Sequence, residues 1–194
     1  MPEASSNRKL RRDLCPLTTE EERTHREVGQ NAFWSLSSSK TGTGIEQLRD
    51  NRLDTFWQSD GSQPHLVNIQ FPRKTDVDLV ALYCDFKADE SYTPQKITVR
   101  TGISFNDLQD LQTAEFNEPS GWVIIRLDKK FGRPHRAWML QIAIVSNHQN
   151  GRDTHVRQVK IYAPVPENAY ESHAEVNIQP KFSDSVLSAF NVLR

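Results

Sequence analysis

Apolar residues along this chain recur at every second position in short runs, and seldom at the three-to-four spacing of a helix. In His65-Leu-Val-Asn-Ile-Gln-Phe71, Val67, Ile69 and Phe71 alternate with Asn68 and Gln70, the pattern of a half-buried strand. Pro72 punctuates that run. Lys96-Ile-Thr-Val-Arg100 alternates in the same way, Ala32-Phe-Trp-Ser-Leu-Ser37 reads as a first strand, and the segment from Leu111 to Phe116 is a fainter one. Trp122-Val-Ile-Ile-Arg-Leu127 is a strong strand entered through Pro119-Ser-Gly121. Val77-Asp-Leu-Val-Ala-Leu-Tyr-Cys-Asp-Phe86 is nearly continuous in apolar character, so it predicts a central strand covered on both faces. Ala137-Trp-Met-Leu-Gln-Ile-Ala-Ile-Val145 and Val156-Arg-Gln-Val-Lys-Ile-Tyr162 complete a set of seven or eight.

Short strands with almost no helix predict an all-β chain, an antiparallel sandwich whose spacing suits a jelly roll. Helical signals are confined to two places. Thr18-Thr-Glu-Glu-Glu22 offers a cap followed by acids, and Thr43-Gly-Ile-Glu46 has capping-box spacing and opens a single turn through Leu48. Between that turn and the His65 strand, residues 50–61 predict a long structured loop carrying Phe56 and Trp57. Trp34, Trp57, Trp122 and Trp138 each lie in or beside an apolar strand and read as core.

The two ends differ from this middle. Residues 1–23 are polar and charged without periodicity and predict a flexible head; Arg8-Lys-Leu-Arg-Arg12 within it has the form of a nuclear-import patch. Residues 24–163 hold the strands. Residues 164–194, opened by Pro164 and Pro166, predict a flexible tail with Val186, Leu187, Phe190 and Leu193 on one face of a potential helix. The Leu193-Arg194 dipeptide offers an aliphatic side chain, a guanidinium and a carboxylate to a concave receptor.

Composition removes several function classes. The formal charge is 24 minus 25, or −1, so no global field draws the chain to nucleic acid or membrane. No apolar run approaches the roughly 20 residues of a membrane span. Cys15 in the polar head and Cys84 in an apolar strand predict no disulfide, which fits a reducing compartment. Basic residues are scattered with no interleaved aromatics, against nucleic-acid binding.

The densest chemistry lies in Asn147-His-Gln-Asn-Gly-Arg-Asp-Thr-His155, read as a hairpin loop between two strands. It packs two histidines, two asparagines and a glutamine, an arginine and an aspartate around Gly151, more than a turn requires. Two other loops share its character: Ser59-Asp-Gly-Ser-Gln-Pro-His65 and Asp89-Glu-Ser-Tyr-Thr-Pro94. If the strands alternate in direction, all three gather at one end. Together they offer acids, amides, imidazoles and Arg152, a mixture suited to an extended peptide. His148, His155 and Asp153 invite a triad, but no serine or cysteine stands in a Gly-x-Ser-x-Gly turn. The two histidines are seven apart without a cysteine pair, so no zinc site is predicted, and no loop has the ordered acidic repeat of a calcium site. The expectation is a chain with no enzyme activity, cofactor or metal. A carbohydrate-binding module of the same fold is the alternative, which would show exposed aromatics at the loop end.

Trp34-Ser-Leu-Ser-Ser38, Gln47-Leu-Arg-Asp50, the run from Trp57 to Phe71, Asp89-Glu-Ser-Tyr-Thr-Pro94, Pro119-Ser-Gly-Trp122 and the run from Asn147 to His155 occur in collinear order. Over about residues 26–163 the chain resembles the DOC-domain subunits of the anaphase-promoting complex, or cyclosome. That resemblance implies a galactose-binding-domain-like jelly roll. It implies a non-catalytic, substrate-recognising subunit of a ubiquitin ligase, found in nucleus and cytoplasm. With a WD40 coactivator such a subunit forms a co-receptor for destruction-box peptides of cyclin-type substrates and raises processivity. Carried onto this chain, the degron contacts are Asn147, His148, Gln149, Asn150, Gly151, Arg152 and Asp153, with Ser59, Asp60, Asp89, Glu90, Ser91 and Tyr92 around them. The family's C-terminal Ile-Arg, which docks in a tetratricopeptide-repeat subunit, is replaced here by Leu193-Arg194.

Overall fold

The computed structural model describes residues 14–129 and 132–165. Its elements run α1 (Thr19–Thr24), β1 (His25–Glu27), β2 (Phe33–Leu36), α2 (Ile45–Arg49), β3 (Trp57–Ser59), β4 (His65–Val77), β5 (Leu79–Asp85), α3 (Phe86–Asp89), β6 (Pro94–Gly102), β7 (Gln109–Glu115), β8 (Ser120–Arg126), β9 (His135–Asn147), β10 (Thr154–Val156) and β11 (Gln158–Pro164). One sheet orders its strands β2-β4-β9-β6-β7, the other β1-β11-β5-β8, and β3 pairs with β10 as a separate ribbon. Each pairing is antiparallel. The fold is the jelly-roll sandwich that the alternation predicts.

The period-two pattern decides which side chains meet between the sheets. Val67, Ile69 and Phe71 of β4, Ile97 and Val99 of β6, and Leu140, Ile142 and Ile144 of β9 face Val80, Leu82 and Cys84 of β5 and Val159 and Ile161 of β11. Burial of each such aliphatic side chain contributes about 1.5–3 kcal/mol. Trp57 and Leu48, both fully buried, close one side.

The second covered face of β5 is supplied from the start of the chain. Leu79 and Ala81 pack with Leu17 and Tyr162, flanked by Cys15, Trp122 and Ile124. Residues 14–23, assigned from sequence to the flexible head, are therefore packed on the sheet. Leu17 is their single buried side chain, too little to register as periodicity, and polar ties from Arg126 to Glu21 and from Lys160 to the Leu14 carbonyl complete the attachment. α1 begins where the cap predicts it: the Thr18 N–H donates to Glu21 Oε2 at 3.0 Å and the Glu21 N–H donates back to the Thr18 hydroxyl. The Thr18 amide, followed by Arg126, pulls the Glu21 carboxyl down to about 2.

Other expectations shift by local chemistry. The capping box at Thr43 is displaced by one residue: Gly44 precedes α2, and its N–H donates to Gln47 Oε1 at 2.8 Å. Pro72 does not end its strand. β4 continues to Val77 across a bulge in which five steps, Gln70 to Thr75, oppose two on β9, so the proline sits where no ladder N–H is needed. Trp138, read as core, is 39% exposed. The 147–155 loop is no hairpin, because β9 and β11 belong to different sheets and the loop crosses between them.

Candidate functional site

The antiparallel order brings the start of β4 (His65), the end of β5 (Asp85), the start of β6 (Pro94) and the end of β9 (Asn147) to one pole. The three polar loops meet there, joined by direct hydrogen bonds. Gln63 Nε2 donates to the Gly151 carbonyl at 2.8 Å, the His148 N–H to the Thr93 carbonyl at 2.9 Å, and the Thr154 hydroxyl to the Tyr92 carbonyl at 3.3 Å.

Asn147 closes its own loop. It is buried, and Nδ2 donates to the carbonyls of Asp153 at 2.7 Å and Gly151 at 3.2 Å. His148 is also buried, edge-on to Phe86 with centroids 5.0 Å apart. The crest that follows them is strained: Gln149 and Asn150 stand at φ 51° and 56°, the left-handed region that residues with a Cβ disfavour. Both are exposed. Gly151 is demanded by proximity, since a Cβ there would lie 1.8 Å from the Ser91 carbonyl oxygen.

Beneath the Ser59–His65 loop runs a buried relay. His65 Nε2 meets the Arg152 carbonyl at 2.7 Å and so must donate to it; in the neutral ring Nδ1 then accepts from the Ser59 hydroxyl at 2.8 Å. Ser59 in turn accepts from Ser38 at 2.6 Å, and the Gly61 N–H donates to Ser38 at 2.9 Å. A serine paired with a histidine could suggest nucleophilic chemistry. Both side chains are fully buried, however, and the far nitrogen faces a backbone carbonyl rather than a carboxylate. The relay locks two loops together.

A second strut fastens the 89–92 loop. Asp89 is buried and takes a bidentate pair from Arg157, Nε to Oδ2 at 3.0 Å and Nη2 to Oδ1 at 2.8 Å, with His155 Nδ1 donating to Oδ1 at 3.1 Å. Burial raises the Asp89 carboxyl, and the hydrogen bonds from His155 and Arg157 more than reverse it, so it lies below the usual carboxylate value. His155 is clamped between Phe56 at 4.1 Å and Tyr92 at 4.3 Å. Its partner is therefore Asp89, while Asp153 accepts from Gln58 at 3.2 Å. Those pairings replace the His148–Asp153–His155 triad considered from sequence.

The thirteen loop residues named from sequence thus gather at one pole, and the structure divides them by exposure. Gln149, Asn150, Arg152, Asp60, Glu90 and Tyr92 are exposed, and Gly151, Asp153 and Ser91 are half-buried. Asn147, His148, Ser59 and Asp89 face inward as supports. Leu193 and Arg194 lie outside the described residues. Sequence reasoning passed over Phe56 and Arg157 as parts of this pole, and it placed Gln63 and His65 in a gathered loop without assigning them a role. Only Arg157, a charge at the head of an otherwise largely apolar run, carried a signal. Tyr92, 39% exposed, is the large exposed apolar residue of the pole, and one of its faces is taken by His155. Among the described residues no three His, Cys, Asp or Glu side chains converge as a metal site.

Residues 5–188 match the family model described as anaphase-promoting complex, subunit 10. The chain is 56% identical over 154 residues to "Anaphase-promoting complex subunit 10" of Homo sapiens, covering 79% of this chain and 83% of that one. It is 46% identical over 179 residues to the protein of the same name from Dictyostelium discoideum, covering 92% of each. Among solved structures it is similar to the family 32 CBM of C. perfringens NanJ in complex with galactose, at TM-score 0.59 and 12% identity, covering 71% of this chain and 98% of that one. It is also similar to the CBM32 domains of C. perfringens ZmpB in complex with GalNAc, at TM-score 0.63 and 13% identity, covering 76% of this chain and 37% of that one. At such identities the likeness concerns the galactose-binding-like fold alone.

Proposed function

Because the chain belongs to the anaphase-promoting complex subunit 10 family, we propose that it is the substrate-recognition subunit of that ubiquitin ligase. With a WD40 coactivator it forms a co-receptor for destruction-box peptides and lengthens the ubiquitin chains added per encounter. One observation carries this reading. Three loops knitted into one rigid pole present Gln149, Asn150, Arg152, Asp60, Glu90 and Tyr92 outward, with Asp153 beside them. Amides that both donate and accept suit the backbone of an extended peptide. Asp60, Glu90 and Asp153 outnumber Arg152, which suits basic side chains on that peptide. No bond-breaking step is assigned to the pole. A shallow rim binds weakly alone, and sharing the peptide with a coactivator raises the effective concentration of the second contact.

The same reading places the protein in nucleus and cytoplasm and gives Leu193-Arg194 the role of docking in a tetratricopeptide-repeat subunit. The test uses the full chain in the assembled ligase. Replacing Gln149, Asn150, Arg152 and Asp60 with Ala is expected to leave assembly and thermal stability intact while shortening ubiquitin chains on a destruction-box substrate. Unchanged processivity refutes the assignment. Removing Leu193-Arg194 is expected to reduce retention in the ligase, and normal co-purification refutes the docking role. The carbohydrate alternative requires an open aromatic platform, and Tyr92 already spends one face on His155; titration with galactose is expected to give no saturable signal.

A further inference from the structure

At the pole opposite the loops, a groove of about 940 Å³ opens between β1, the β4 bulge and the end of β11. Its floor is apolar, with Val28, Phe71 and Ala163 below and Pro134 and Pro164 at the sides. Its rim is cationic. Glu27 is taken by Arg49 at 2.8 Å, and Asp76 by Arg136 at 3.0 Å. That leaves Arg26, Arg73 and Lys74, all exposed and without a salt-bridge partner among the described residues. The bulge produces this arrangement: its extra residues carry Arg73 and Lys74 beyond the ladder, where a regular strand would have paired them.

An apolar trough with unpaired cations on its rim is complementary to carboxylates carried on a segment with apolar anchors. We propose that this groove docks an acidic segment of a neighbouring subunit and so mounts the domain in its assembly with the loop pole left open. The inference rests on the chain being an assembled subunit, and not on what its loops bind. Arg26, Arg73 and Lys74 attract the segment's acids, while Phe71, Pro134 and Pro164 line the trough that takes its apolar anchors.

The test adds the full chain to ligase prepared without this subunit and follows retention across rising salt. Reversal of Arg26, Arg73 and Lys74 to Glu is expected to weaken retention by at least about tenfold near physiological salt and to flatten its salt dependence. Reversal of the exposed Lys40 and Lys87 is expected to change neither, and the swaps Arg26→Lys, Arg73→Lys and Lys74→Arg are expected to preserve binding. Retention of the Glu variant at wild-type strength overturns the proposal. So does an equal loss in the Lys40/Lys87 control. A zero-length carbodiimide reaction supplies a second measurement, expected to join Lys74 to an Asp or Glu of another subunit. Lys74 joined only to Glu167, Glu171 or Glu175 of its own chain, or to nothing, also overturns it. Processivity per retained molecule is expected to stay at the wild-type level, which separates this proposal from the role of the loops.

Discussion

Replacing Asp89 with Ala removes the centre of the strut beneath the polar loops. Three hydrogen bonds are lost, two from Arg157 at 2.8 and 3.0 Å and one from His155 at 3.1 Å. The Arg157 side chain, only 10% exposed, keeps one hydrogen-bond acceptor among the described residues, the Leu53 carbonyl, beside the Phe56 ring at 5.7 Å. Stranding one member of a buried ion pair costs about 3–5 kcal/mol. At roughly 2–4 °C per kcal/mol for a protein of this size, thermal unfolding is expected to fall by about 6–20 °C. Asp89→Leu combined with Arg157→Met removes both charges and is expected to recover most of that loss, since an apolar pair of similar volume replaces a buried ion pair at little cost. The carboxyl is depressed in the folded state, so its contribution is present above the unfolded value of about 3.9 and is lost as pH drops through the lower folded value. The gap between wild type and Asp89→Asn is therefore expected to narrow on acidification. Differential scanning calorimetry across pH reads all of this. An Asp89→Ala variant within 1 °C of wild type, or a double variant as unstable as the single one, refutes the reasoning.

Other features give shorter tests. Gly151→Ala places a methyl into the Ser91 carbonyl; the 89–92 and 147–153 loops are expected to separate at a cost of about 1–3 kcal/mol, seen as amide chemical-shift changes confined to those loops, and wild-type spectra would refute the contact. Gln149→Gly relieves a left-handed backbone, so stability is expected to hold or rise by up to about 1 kcal/mol while processivity falls, and a loss of stability would contradict the strain. Leu17→Ala uncovers Leu79 and Tyr162 and is expected to cost about 2–3 kcal/mol in denaturant unfolding, against no measurable effect if residues 14–18 were loose. Burial pushes the Cys84 thiol up to about 12, so native protein at neutral pH is expected to take up an alkylating reagent at the half-buried Cys15 alone, as read by peptide mass spectrometry.

The sandwich was legible because its information is local. Alternation in β4, β6 and β9 and the continuous apolar run of β5 declare which faces are buried without any knowledge of partners. What escaped depends on sequence-distant contacts. Residues 14–23 look like solvated chain until Leu17 meets Leu79 and Tyr162, and β1 is three residues long and exists by pairing with β11. The Pro72 stop failed because an unusually wide bulge accommodates a residue without an N–H. In the candidate site the membership of the loops was readable from composition, and their division into supports and surface was not. Asn147, Asp89 and Ser59 resemble any polar loop residue in sequence. Only the Asp153 carbonyl, the Arg157 guanidinium and the His65 ring turn them inward.

The pairing of the first strand with the last, His25 opposite Pro164, has a mechanical consequence. The two residues stand side by side at the end of the sandwich remote from Gln149 and Asn150. A pull applied at Pro164 is shared with His25 through this ladder and reaches Gln149 and Asn150 only through the length of the strands.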